Sequence, residues 1–286
     1  MEWLIEPFAL GFQQRALLGG IIAGVMASVV GTWLVLRGMS FFGDAFVHGV
    51  VPGIAAAVLL DFSPFLGAAL AAGVMVLGIV LIHRQTALKE DTAIGLLFIG
   101  MLGLGVVIVS RSTSYTGSLT AILFGDALGV TREALLEQAV MAAIVVPAGI
   151  LLYRPLLALS FDRTKAQALG MRPGLTHAVL LVLIAAAVIG SYQAVGTLLA
   201  FGLLVGPPAT AALLARTVPA MMVIAVVIAV VSVVIGLVVS YHLGTAGSAT
   251  MAMLPIVLFF LTLTASRLLA WRRHPSVRAG VGESAG

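Results

Sequence analysis

The chain has 286 residues, of which 61% are hydrophobic and only 9% charged, with a formal charge of +4 and a mean hydropathy of +1.19. No soluble core of this length needs so much apolar surface. Continuously apolar segments such as 220–239 exclude an outer-membrane barrel, whose strands alternate apolar and polar residues. What remains is an all-α, polytopic transmembrane bundle; its few positive residues sit in loops, where they set orientation rather than bind nucleic acid, and with no cysteine there is no disulfide, thiolate ligand or iron–sulfur cluster.

No basic n-region or cleavage site precedes the first span, so no removable signal peptide is expected, and Glu2, Trp3, Glu6 and Phe8 suit a short interfacial segment. Apolar runs predict nine spans at 16–36, 45–60, 65–82, 93–110, 134–153, 175–191, 195–215, 220–240 and 248–270, with a count of eight close behind. Residues 121–128 fit a re-entrant or an interfacial helix. Connections are short, so residues 1–272 read as one transmembrane domain, and the Gly/Ser-rich tail, 273–286, as disordered. Arg154, Arg163, Lys165 and Arg172 in one loop, with Arg267, Arg272 and Arg273 near the end, place that loop and the C-terminus in the cytoplasm. Arg84 and Lys89 then fall inside as well and the N-terminus outside, against the placement of Arg111 and Arg132.

The stretch RGMSFFGDAFVHGVVP, residues 37–52, carries the first chemistry. Asp44 and His48 are four residues apart, so on a helix they share one face, one turn apart. An ionisable pair at membrane depth faces a bundle interior or a watery path, and a carboxylate with an imidazole forms half a site for a divalent transition metal. Two readings stand side by side: the pair binds an ion in passage, or Asp44 caps the second span and His48 packs.

Further along, 160–173 (SFDRTKAQALGMRP) reads as a short helix outside the membrane. Asp162 is its N-cap and Gly170 its stop, while Ala166 and Ala168 leave room for a partner to approach; an ordinary connector is the other reading. Gly206, Pro207 and Pro208 interrupt an otherwise apolar run and predict a broken helix of the kind that lines transporter cavities. His242, in the predicted outer loop, is a candidate for ion entry, while His83, His177 and His274 lie at predicted cytoplasmic edges. Between Arg172 and Arg267 the only Asp, Glu, Lys or Arg is Arg216, which speaks against a proton-driven carrier built on carboxylates in several spans. The P-loop, H-E-x-x-H and G-x-S-x-G motifs are absent, and although Asp44 and Asp126 both follow Phe-Gly, neither completes the G-x-G-D motif of an intramembrane aspartyl protease.

Five blocks resemble, in order and spacing, the permease subunits of bacterial ABC importers for zinc, manganese or iron. They are RGMSFFGDAFVHGVVPG (37–53), LFGDALGVT (123–131), FDRTKAQALGM (161–171), VGTLLAFGLLVGPPATA (195–211) and YHLGTAGSAT (241–250). The resemblance implies a type II-like permease in the bacterial cytoplasmic membrane, paired with a second copy of itself. It also implies two separate ATPase subunits and an extracytoplasmic metal-binding protein as partners. The chain itself would be no enzyme, and it would hold no permanent cofactor beyond the transported ion and surrounding lipid. By similarity, FDRTKAQALGM is the coupling helix that docks in the ATPase, with Asp162, Ala166 and Gly170 at matching positions, and Asp44 with His48 is the polar pair of the pathway. Gly38 stands where a second arginine is common, and Gly206-Pro207 where relatives carry isoleucine or valine before proline. Zinc is favoured over manganese or iron(II) on donor type. The alternatives are an ABC permease for an iron chelate or cobalamin, and an ATP-independent metal carrier.

Overall fold

The computed structural model describes residues 6–86, 90–110, 129–161, 167 and 170–273. A 3-10 turn, Glu6–Ala9, leads into α1 (Gly11–Leu36), followed by α2 (Ser40–Gly49), α3 (Val51–Leu59), α4 (Pro64–Gln85) and α5 (Glu90–Ser110). Next come α6 (Arg132–Leu151), α7 (Tyr153–Phe161), α8 (Pro173–Val195), α9 (Thr197–Leu214), α10 (Val218–Leu243) and α11 (Gly247–Arg273). By length and composition, 8 segments among the described residues are apolar enough to cross a membrane, α2 and α3 counting as one, and the shorter apolar helix Leu198–Leu214 runs among them.

Helix starts follow local chemistry. Thr131 accepts a hydrogen bond from the Ala134 N–H at 3.1 Å and Thr217 from the Ala220 N–H at 3.4 Å. Pro64, Pro173 and Pro219 sit in first turns, where the missing N–H has no partner to lose.

α1 is the central post. Trp33, Met26 and Leu34 are fully buried on it, and it touches α6, α8, α9 and α10. Lipid supplies no hydrophobic drive between helices, so close approach of small residues carries the packing. Gly20 faces Val233 and Gly24 faces Ala229, making α10 antiparallel to α1, while Gly202 against Ala252 and Gly206 against Pro255 make α9 and α11 parallel. Gly53 and Gly67 rest on each other's carbonyl oxygens where α3 crosses α4. Gly31 of α1 lies against Leu204 and Pro208 of α9, and Gly24 near Leu203, so those two helices also run parallel.

The three-residue turn between α1 and α2 is a Schellman closure. The Gly38 N–H donates to Val35 O at 3.0 Å and the Met39 N–H to Leu34 O at 3.1 Å, with Leu34 and Met39 both buried. Gly38 has φ of 68°, so the glycine that departs from the family pattern serves a left-handed backbone. A Cβ there meets nothing within 4 Å. Gly38→Ala is therefore expected to cost about 1 kcal/mol through backbone strain alone, read as a lower Tm in detergent, with Gly38→Asn costing less.

Several sequence expectations change. α9 runs unbroken through Gly206, Pro207 and Pro208; the interruptions fall instead at Val50, at Leu152 and at Gly196, whose φ is 79°. Prolines 207 and 208 remove the donors to Leu203 O and Leu204 O, but the Leu204 carbonyl lies against Gly31 on α1, and Thr210 Oγ1 donates to Gly206 O at 2.9 Å. The second span starts earlier than expected, at Ser40. Its N-cap is Met39, with no side-chain cap, so Asp44 does not cap the helix. The loop after α6 is helical in its first part, because α7 docks Leu156 and Leu159 into the core. Pro155, unable to donate to Leu151 O, separates α7 from α6. The Trp33 Nε1–H donates to Gly149 O at 3.3 Å, satisfying a carbonyl of the last turn of α6. Residues 121–128, Asp126 and the tail from His274 lie outside the described residues.

Candidate functional site

α2 is held by one face. Phe42, Ala45, Phe46 and Val47 are buried, and Gly43 is pressed against Leu204 and Phe201 of α9. That orientation turns the remaining stripe, Phe41, Asp44 and His48, outward beside α5. Phe98 of α5 closes one flank, its ring centroid 5.9 Å from Phe41 and 6.2 Å from His48. His48 and Asp44 are each about a third exposed (34% and 35%), neither sealed in the core nor free of it.

His48 Nε2 stands 3.5 Å from Asp44 Oδ1. That is long for a hydrogen bond between them. One cation could bridge the two atoms, since two bonds of about 2.1 Å at a tetrahedral angle separate donor atoms by about 3.4 Å. Among the described residues no group of three or more His, Cys, Asp or Glu side chains gathers into a metal cluster, so the chain offers two donors here and the remaining positions stay open to water or another donor.

The other sequence candidates separate. His242 lies in the last turn of α10, with Tyr241 edge-on at 5.2 Å. Because α10 runs antiparallel to α1, His242 is at the opposite end of the bundle from the α1–α2 turn. Asp162, Ala166 and Ala168 lie outside the described residues. Gly170 has φ of 74°, and its N–H donates to Gln167 O at 3.0 Å, directly before α8. Gly206 lines an apolar groove of about 600 Å³ between α9 and α11 with Phe201, Val205, Met253 and Phe260. The groove offers a bare cation almost no polar donor.

One contact escaped the sequence. Arg37, the C-cap of α1, donates from Nη1 to His177 Nδ1 of α8 at 2.8 Å, across 140 residues. No local signal links positions so distant.

A helical bundle with 8 segments, among the described residues, long and apolar enough to cross a membrane, one of them carrying an ionisable pair on its outward face, is a polytopic membrane protein. The chain belongs to the ABC 3 transport family, whose profile matches residues 9–266. It is 33% identical over 267 residues to a Haemophilus influenzae protein named "Probable iron transport system membrane protein", covering 93% of this chain and 98% of that one. It is 35% identical over 250 residues to the manganese transport system membrane protein MntC of Listeria monocytogenes, covering 87% and 89%. Among solved structures it superposes on a chain of PsaBC from Streptococcus pneumoniae, determined in complex with Fab, with a TM-score of 0.82 and 30% identity over 95% of this chain and 99% of that one.

Proposed function

We propose that this chain is the permease of an ATP-driven importer for a divalent first-row transition metal, and that Asp44 and His48 hold the ion briefly on its way through the membrane. The observation that carries the reading is the 3.5 Å separation of Oδ1 and Nε2 on an outward face of α2. Two replaceable donors per chain suit passage, because a closed four-ligand site would retain the ion. A second copy of the chain pairs with the first, ATPase subunits dock on the segment holding Asp162, Ala166, Ala168 and Gly170, and an extracytoplasmic binding protein delivers the metal. The chain then sits in the cytoplasmic membrane with the C-terminus and the Arg37 end of the bundle inside. Alternating access would expose the pair to each side in turn.

Imidazole and carboxylate accept zinc, manganese and ferrous iron alike. The relatives' names mention manganese and iron, which moves the preferred cargo from zinc to those two. The test is uptake of radiolabelled manganese by metal-starved cells expressing the chain with its ATPase and binding protein, with iron(II) and zinc as competitors. Saturable uptake, outcompeted by iron(II) at lower concentration than by zinc, is expected. Preferential competition by zinc would restore the zinc reading, and no uptake of any of the three would return the chelate permease.

A further inference from the structure

Arg37 and His177 join two rigid pieces that the proposed mechanism needs to move together. On one side, Arg37 is the C-cap of α1 and the first residue of the Schellman turn, whose two hydrogen bonds leave no slack between α1 and α2. The Phe42 N–H bonds Met39 O at 2.9 Å, so the turn passes directly into the helix that carries Asp44 and His48. On the other side, His177 sits in the first turns of α8, immediately after Gly170 and the proposed ATPase-docking segment. That helix start is stiff: Pro173 occupies its first turn, and Thr176 bonds Arg172 O through both its N–H, at 3.0 Å, and its hydroxyl, at 3.2 Å.

The chemistry of the contact is directional. A guanidinium has no acceptor, so His177 Nδ1 must accept and the ring carries its proton on Nε2. The imidazole is 5% exposed, where a charge-assisted hydrogen bond is stronger than in water. Elsewhere α8 meets α1 through apolar surfaces, such as Gly190 beside Met26, which can slide with little loss. The Arg37–His177 bond cannot slide without breaking.

We infer that Arg37 and His177 are a positioning pair that transmits displacement of the docking segment, through the first turns of α8, to the α1–α2 turn and so to the Asp44/His48 face. The inference rests on the importer reading and adds to it the element that couples hydrolysis to ion movement. Neither residue touches the ion; both act through the backbone of α2.

The test uses the complete importer in proteoliposomes, with manganese uptake and ATP hydrolysis measured in the same vesicles. His177→Leu and Arg37→Met are expected to keep hydrolysis near the wild-type rate while uptake per ATP falls about tenfold, the double variant being no worse than either single. His177→Asn, which keeps an acceptor near the Nδ1 position, is expected to retain most of the coupling. Equilibrium manganese binding should be unchanged in all three single variants. Uptake per ATP equal to wild type in His177→Leu overturns the link while the importer stands. A parallel loss of uptake, hydrolysis and thermal stability, with His177→Asn no better than His177→Leu, also overturns it, by showing only an anchor. A wild-type complex without ATP-driven uptake overturns the importer reading itself, and the link with it.

Discussion

Gly31→Val is expected to leave no folded protein in the membrane, whereas Gly→Val at an open glycine of the same chain is expected to be tolerated. The difference is the neighbour. A Cβ on Gly31 overlaps the carbonyl oxygen of Leu204 and comes within 2.9 Å of its carbon and 3.1 Å of Pro208 Cγ. That carbonyl has no helical donor because Pro208 lacks an N–H, and it lies in the space that a side chain on Gly31 would fill. Retreat is blocked, since α9 is seated on α11 through Gly206 and Pro255. Overpacking a core typically costs about 1–3 kcal/mol when side chains can adjust. Here the struck atom is backbone, so Gly31→Ala is expected to cost about 3 kcal/mol or more and Gly31→Val to be incompatible with the fold. Gly103, exposed on α5 with nothing within 4 Å of an added Cβ, provides the control. Size-exclusion profiles and melting curves in detergent check both, and a monodisperse Gly31→Val protein melting with wild type would sink the argument.

Asp44→Ala and His48→Ala are each expected to lower metal uptake by about 100-fold with protein levels unchanged. Even groups that only orient a ligand typically cost about 10- to 100-fold in metal affinity when removed, so a direct donor should cost at least the upper figure. The two changes should not multiply. Donor atoms that share one ion act as a unit, and once either is gone the other has lost its purpose, so the double variant should transport about as poorly as the worse single. Both positions are about a third exposed, so truncation opens no sealed cavity and the fold should persist. Losses that multiply would mean that the pair acts at two separate steps, and unchanged uptake in both would make His48 a packing residue beside Phe98.

The spans were legible in the chain because bilayer thickness imposes a minimum apolar length, and their order followed from short connections. Asp44 and His48 were legible because helical period alone places them on one face. The choice between cap and ligand was not, because a cap is defined by where the helix begins, and the closure of α1 by Gly38 starts α2 at Ser40, one turn ahead of Asp44. The expectation of a broken helix at Gly206-Pro207-Pro208 followed the intrinsic cost of proline. It failed because that cost is set locally while the space for the Leu204 carbonyl is supplied by another helix, through Gly31.

The sequence by itself determined an all-α membrane bundle, the family signature and the ionisable pair, since each depends on spacing along the chain or on total apolar length. Only the tertiary structure decided that Asp44 and His48 open outward beside Phe98, that His242 lies at the far end, and that Arg37 reaches His177 across 140 residues. Those facts depend on which helix lies against which, and in lipid that choice is made by close steric fit between small residues far apart in the chain rather than by any local pattern.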